Sequence, residues 1–155
     1  MRGIASVLSL GLGLGLTVGC SVTGKLYPVQ TAPVPAPGAS SQPLIAKVAF
    51  VGLGKSGTIS VPLATGEVCM GPYSFIEPNP ATLDKNTLSA AWDQVYGPGY
   101  YVAHVLGMYH AVTELRGSQG TILWMDFYRT PGEGRGSQIL GVAKDNRSNL
   151  YKLVF

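Results

Sequence analysis

The chain is predicted to be mainly β, a small antiparallel sandwich or barrel of six to seven strands with one short helix in a crossover. Three observations lead there. Charged residues fill only 12% of the 155 positions while 21 are Gly and 11 are Pro, a balance that favours strands and turns over helices. Runs that alternate apolar and polar residues recur between Gly- and Asn-rich turns. One segment alone carries apolar residues at helical steps of three and four.

The order of elements begins with a leader. Met1-Arg2 is a short positive end, and Ile4 to Val18 is uncharged and apolar. At about 15 residues the run falls short of the roughly 20 that a bilayer span needs. Gly11, Gly13 and Gly15 interrupt it, each costly inside a helix. Residues 1–19 are therefore expected to be a removable secretory signal. Leu16-Thr17-Val18-Gly19-Cys20 resembles the lipobox of bacterial lipoproteins. Small Gly19 suits the position before the cut, and Cys20 would supply the thiol that takes a diacylglycerol; Thr17 stands where Leu is more usual. The resemblance implies a palmitate-type anchor on Cys20, and two or three acyl chains hold a protein stably where one does not. Ser21 rather than Asp follows the cysteine. By the sorting pattern of enteric bacteria, this implies the outer membrane, with the domain facing the periplasm.

Residues 20–43 read as the attachment site and a tether. Prolines at 33, 35, 37 and 43 forbid helix and leave an extended, polyproline-like chain. Within this stretch, Leu26-Tyr27-Pro28-Val29 is apolar enough to pack against the domain instead. The globular domain is expected over 44–155. Ile45–Val51 is β-rich, and Thr58–Leu63 puts Ile59, Val61 and Leu63 on one face. Thr65-Gly66 turns the chain into Glu67–Ile76, with a bulge expected near Gly71-Pro72. The helix is expected between Pro80 and Tyr96, where Leu88, Ala91, Trp92, Val95 and Tyr96 share a face, and Gly97-Pro98-Gly99 stops it. Tyr100–Leu115 is expected as a strand, although Ala103–Met108 has the composition to carry helix. In Thr121–Tyr128 one face holds Ile122, Trp124, Asp126 and Tyr128, the other Leu123, Met125 and Phe127. Both are mostly apolar, as in a central strand covered on two sides. A Gly-rich loop over 130–136, a strand at Gln138–Ala143, a turn at Asp145–Asn149 and a strand at Leu150–Phe155 complete the series.

Thr23-Gly-Lys-Leu-Tyr-Pro-Val-Gln30 beside the cysteine, the hairpin Gly57-Thr-Ile-Ser-Val to Gly66-Glu-Val-Cys-Met-Gly71 and the Asn149-Leu-Tyr end are similar to a group of small bacterial lipoproteins that brings no assigned activity. The resemblance spans most of the mature chain and implies an all-β lipoprotein.

Chemistry-bearing residues are few. Without Arg2 the mature part has 10 basic against 8 acidic side chains, no basis for a nucleic-acid partner. Ala49-Phe-Val-Gly-Leu-Gly-Lys-Ser56 fits a relaxed phosphate-binding loop with Ala49 in place of the first Gly, and Gly52-Leu-Gly-Lys-Ser-Gly57 fits the dinucleotide pattern, but both need a helix to follow, and β-branched Thr58-Ile-Ser-Val with Pro62 follows instead. Cys69 is left without an in-chain partner once Cys20 is lipidated, and is expected to pack as a small apolar residue. His104 and His110, six apart, make no two-ligand metal site on strand or helix, and neither metal nor cofactor is expected. A triad can be composed from Cys69, a histidine and Glu114 or Asp126, and a carboxylate pair from Glu67, Glu77 and Asp126; spacing recommends neither. Trp92, Tyr96, Tyr100, Tyr101 and Tyr109 cluster in one stretch, a core in the first instance and a partner-binding patch if partly exposed. The expectation is a non-enzymatic envelope lipoprotein, held to the membrane through Cys20 and binding or scaffolding an envelope protein or glycan. The alternatives are a periplasmic hydrolase using Cys69 or a carboxylate, and an exclusion lipoprotein of phage or plasmid type.

Overall fold

A computed structural model describes residues 21–29, 43–51, 55–77, 88–130 and 138–155. Its alternating segments form eight strands: β1 (Ser21–Val29), β2 (Leu44–Val51), β3 (Ser56–Pro62), β4 (Val68–Ser74), β5 (His110–Arg116), β6 (Ile122–Arg129), β7 (Ile139–Asp145) and β8 (Leu150–Val154). Each pairs antiparallel with the next, and β8 returns to pair with β1, so the sheet closes into a barrel with no free edge. Of the expected sandwich or barrel, the barrel is observed, mainly β as expected, with eight strands where six to seven were expected and one short α-helix among the described residues. The helix, α1 (Ser89–Tyr96), and a π-helical turn (Tyr101–Val105) lie between β4 and β5.

Side chains alternate across the wall. Leu26, Ile59, Val61, Cys69, Tyr73, Leu115, Leu123, Met125, Phe127 and Leu153 fill the inside, packed rather than hollow as suits a barrel of this strand number. Tyr73, Phe75 and Phe127 meet edge to face, with centroids 5.5–6.0 Å apart, the arrangement aromatic quadrupoles favour.

The eighth strand corrects the tether. Ser21–Val29 is no linker: it pairs with β2 from Ser21↔Ala49 to Leu26↔Leu44, and with β8 from Lys25↔Val154 to Val29↔Leu150. Burial of Leu26 on the inner face holds it there. Pro28, which obscures the strand in the sequence, lies past the last β2 partner among the described residues and is paired there with Tyr151 of β8. The barrel thus includes Ser21–Val29, and the Pro-rich stretch follows this strand in the sequence and leads to its neighbour β2. The signal, Cys20, residues 30–42, the first part of the expected helix and most of the Gly-rich loop lie outside the described residues.

Two local expectations also change. No bulge occurs at Gly71-Pro72, because β3 and β4 pair without a break from Ser56↔Ser74 to Pro62↔Val68. Gly71 serves closeness instead: a Cβ there would run into the Glu114 carbonyl oxygen and Leu115 of β5. Pro72 has no N–H to offer, and its carbonyl accepts the Thr113 hydroxyl of β5. The missing donor therefore faces the β4–β5 seam, where one residue pair, Met70↔Arg116, is all that is registered. Tyr100–Leu115, expected as one strand, divides into the π-helical turn and β5.

The strand ends define two rims. At the near rim β1, β3, β5 and β7 begin; at the far rim they end. The far rim is tied by carboxylates. Glu67 Oε1 accepts the Gln119 N–H at 2.6 Å and Oε2 the Thr121 hydroxyl at 2.7 Å, joining the β3–β4 turn to the β5–β6 turn. Gly117 is required beneath it, since an added Cβ would overlap the carboxylate. Asp145 closes the β7–β8 turn by accepting the N–H groups of Arg147 and Asn149 at 2.9 and 2.8 Å. The Thr121 hydroxyl bond, helped by the backbone donors against the cost of burial, holds the Glu67 carboxyl below its ordinary value of 4.5. A depressed carboxyl stabilises the fold fully above its unfolded pKa, and that contribution is lost as pH falls through the folded value. Glu67→Gln is accordingly expected to lower the urea midpoint at pH 7, and the gap to wild type to narrow below pH 4.5. A gap that stays constant down to acid pH would refute the linkage.

Candidate functional site

On one flank the outer wall is as apolar as the inside. Trp124, Asp126 and Tyr128 of β6, Leu140 and Val142 of β7 and Leu150 of β8 point outward. α1 exists to cover them. It has no side-chain N-cap and no charge at either end matching its dipole, so its stability comes from the buried face of Leu88, Ala91 and Trp92. The two-sided β6 anticipated from its pattern is therefore observed, with α1 as the second cover.

Beneath the helix sits a buried carboxylate. Asp126 is completely enclosed. Its Oδ2 accepts the Trp92 indole N–H at 2.8 Å, and its Oδ1 lies 3.0 Å from His110 Nδ1. His110, the first residue of β5, is opposite Tyr128 across the β5–β6 seam. One carboxylate thereby joins helix, β5 and β6. A buried acceptor in this setting is stabilising only while its donors stay in place.

The helix ends at Gly97 and Gly99, whose φ values of 116° and 78° lie in a region other residues avoid. Asp93 spans the break: its carbonyl accepts the Gly97 N–H, and its Oδ1 takes the Tyr101 N–H at 2.9 Å. This carries the helical step of four across the Gly-Pro-Gly stop. Trp92, Tyr96, Tyr100 and His104 consequently follow one another as a bent row of rings. Trp92, Tyr96 and Tyr100 pack as a triangle with centroids 5.2, 4.7 and 5.9 Å apart, Trp92 and Tyr100 within 11° of parallel, and His104 lies 4.6 Å beyond Tyr100. The row is pinned from below. Tyr96 donates its hydroxyl to the Gly141 carbonyl at 3.3 Å, the Tyr100 and Tyr128 hydroxyls are 3.1 Å apart, and Lys152 Nζ lies 4.8 Å over the Tyr96 ring. Burial holds the phenols of Tyr96 and Tyr128 far above their ordinary pKa, so both stay neutral. Trp92 is sealed, Tyr96 and Tyr100 are half-buried and His104 is exposed.

Of the five aromatic residues singled out in the sequence, three join this row. Tyr101 is buried between helix and wall. Tyr109 stands apart at the near rim, 55% exposed, donating its hydroxyl to Glu77 at 2.9 Å. His104 and Lys152 complete the row and were not anticipated. The spacing 92, 96, 100, 104 was the available signal, hidden by the Gly-Pro-Gly stop.

The other candidate sets are not brought together. Cys69 lies inside the barrel, its thiol pKa raised by burial first and then by the Glu67 and Asp145 charges. His110 is on the outer face, so the wall separates them. Glu67 is at the far rim, Glu77 at the near rim and Asp126 under α1. Glu114 accepts the Trp124 indole N–H at 3.0 Å and pairs with Arg116. Among the described residues, no three His, Cys, Asp or Glu side chains gather as a metal ion would require. No family model, curated protein or solved structure matches this chain.

Proposed function

We propose that this chain is a lipid-anchored protein of the bacterial cell envelope, non-enzymatic, whose barrel binds or scaffolds another envelope component through the aromatic row. The observation that carries the binding reading is the row itself. Four rings pack in succession, Trp92 sealed and bonded to the buried Asp126, Tyr96 and Tyr100 partly exposed with Lys152 over the Tyr96 ring, and His104 exposed. Partly exposed aromatic faces on a rigid support lose little entropy on binding and stack on sugar rings or apolar peptide side chains. The lipobox at Leu16–Cys20 supports the anchor, and Ser21 supports the outer membrane facing the periplasm.

One experiment addresses both parts. Envelope fractions are prepared from cells making wild type, Cys20→Ser and Tyr96→Ala/Tyr100→Ala, with palmitate labelling and a short-range crosslinker. Wild type is expected to label, to sediment with membranes and to give a discrete crosslinked adduct or a sacculus-bound fraction. Cys20→Ser is expected to lose label and sedimentation; the tyrosine variant is expected to keep both and lose the adduct at least tenfold. An unlabelled, freely soluble wild type overturns the anchor, and an adduct unchanged in the tyrosine variant overturns the binding face.

A second reading, a hydrolase built on a carboxylate, is favoured by one observation: the His110–Asp126 bond has the relation of a base to its orienting group. Among the described residues, no Ser, Thr or Cys side chain is bonded to His110 to complete it.

A further inference from the structure

We propose that a diagonal stripe of four lysines on the outer wall, meeting the aromatic row at Lys152, takes an acidic glycan, a sugar polymer whose units bear carboxylate or phosphate. The inference rests on the row as a binding face and names the class of partner that face meets. The stripe follows from the strand register. Ala143 of β7, Leu153 of β8, Leu26 of β1 and Ala46 of β2 point into the barrel. Their chain neighbours Lys144, Lys152, Lys25 and Lys47 therefore point outward. Lys152 is paired with Val142, two residues before Lys144, and with Tyr27, two residues after Lys25. Lys25 is paired with Ile45, two residues before Lys47. Each seam is thus crossed by the same diagonal step, about 7–8 Å long.

This part of the wall carries one sign of charge. Lys25, Lys47 and Lys144 are exposed and Lys152 is half-buried, and no described outward position on these four strands holds Asp or Glu. Among the described residues none of the four lysines is in an ion pair. The carboxylates are engaged elsewhere: Glu67 and Asp145 at the far-rim turns, Glu77 on Tyr109, Asp93 on the Tyr101 N–H, Glu114 with Arg116 and Asp126 beneath α1. Cations grouped without counter-charge concentrate anions on the surface that bears them. The stripe runs over four of the eight strands of a closed barrel, so a flat lipid surface touches only part of it, whereas a flexible polymer follows the curve. Rings meet the stripe at its middle. Lys152 Nζ lies 4.8 Å over the Tyr96 ring, and its β1 partner Tyr27 is 42% exposed. An acidic sugar unit asks for that pairing, its ring face on a tyrosine and its charge on the adjacent ammonium. Single-stranded nucleic acid also uses rings beside cations; the envelope placing favours the glycan.

The test uses the full chain, purified in a neutral detergent, with polygalacturonate and phosphomannan oligomers as probes. A neutral galactan, polyglutamate, oligothymidylate and short-chain phosphatidylglycerol are the comparators, and binding is followed by calorimetry at low salt. At least one acidic glycan is expected to bind tenfold or more tighter than every comparator, and to weaken as added salt shortens the reach of the lysine charges. Lys25→Gln/Lys47→Gln, which leaves the row and Lys152 intact, is expected to lower that affinity at least tenfold. Lys55→Gln/Arg129→Gln removes the same charge from exposed sites outside the stripe and is expected to lower it less than threefold. Equal losses from the two pairs reduce the attraction to net charge and overturn the stripe. A comparator that binds as tightly as the acidic glycans overturns the partner class. Failure of both glycans to bind, with the envelope adduct still lost in Tyr96→Ala/Tyr100→Ala, overturns this proposal and leaves the row as a binding face. An adduct and a glycan affinity both unchanged by the tyrosine substitutions overturn the row, and this proposal with it.

Discussion

Removing Ser21–Val29 from the mature chain is expected to abolish cooperative unfolding. The segment provides two of the eight seams of the barrel, with six residue pairs to β2 and five to β8. Without it the sheet opens at β2 and β8, leaving two unpaired edges and a row of inward apolar side chains in water. Such edges pair with other chains. Leu26 is fully buried on the inner face, and the Phe155 ring lies where a Cβ of residue 24 would be, so Gly24 lets the last residue cover the interior. The expected record is a broad, non-cooperative melt by circular dichroism and aggregation on gel filtration. A graded version avoids the risk that the truncated chain is simply lost. Leu26→Ala removes buried methyl groups and leaves a cavity, which costs about 2–5 kcal/mol, whereas Lys25→Ala on the exposed side of the same strand is expected to change stability by under about 0.5 kcal/mol. A truncated chain that melts at the wild-type midpoint would restore the tether.

How far the fold was legible follows from what each segment had to satisfy. β3, β4 and β6 to β8 could be read because alternation and turn chemistry act locally: Thr65-Gly66 makes its hairpin and Asp145 closes its own turn. β1 could not, because its neighbours are β2 and, through ring closure, β8. Nothing within nine residues announces a partner more than 120 positions away, and Pro28 argued against a strand. Composition placed Gly71 as a bulge, although its reason is a backbone contact with β5, a long-range matter. The aromatic cluster was visible as a composition. Its division into a row of Trp92, Tyr96 and Tyr100, a buried Tyr101 and a distant Tyr109 was not, because the division depends on Asp93 carrying helical spacing across two glycines. Asp126 is the clearest case. On an otherwise apolar outward face it was weighed as a catalytic carboxylate, and its donors are 34 and 16 residues away in sequence.

Asp126→Ala is expected to be the most damaging single substitution on the outer wall, costing about 2–4 kcal/mol because two hydrogen-bonding groups lose their shared partner at about 1–3 kcal/mol each. The loss is not that of one contact. The Trp92 indole N–H and the His110 ring nitrogen both turn to this carboxylate from different elements, and each would be left facing an apolar void. Asp126→Asn keeps the shape and one acceptor oxygen, so the indole bond survives and the amide can donate to an unprotonated His110 Nδ1; about 1–2 kcal/mol is expected. Trp92→Phe keeps a ring in place while removing the donor. In a double-mutant cycle with Asp126→Ala it is expected to show a coupling of about 1–3 kcal/mol, the range for residues sharing one network. Urea unfolding followed by circular dichroism gives the stabilities, and near-ultraviolet ellipticity reports whether Trp92 still stacks on Tyr100. If Asp126→Ala lies within about 0.5 kcal/mol of wild type, the carboxylate does not hold the helix to the wall. The ring row would then need another explanation for its order. If the loss is large and the near-ultraviolet signal collapses with it, the surface proposed for binding depends on the interaction that stabilises this flank. Substitutions beneath the row would then weaken partner capture without touching any residue the partner meets.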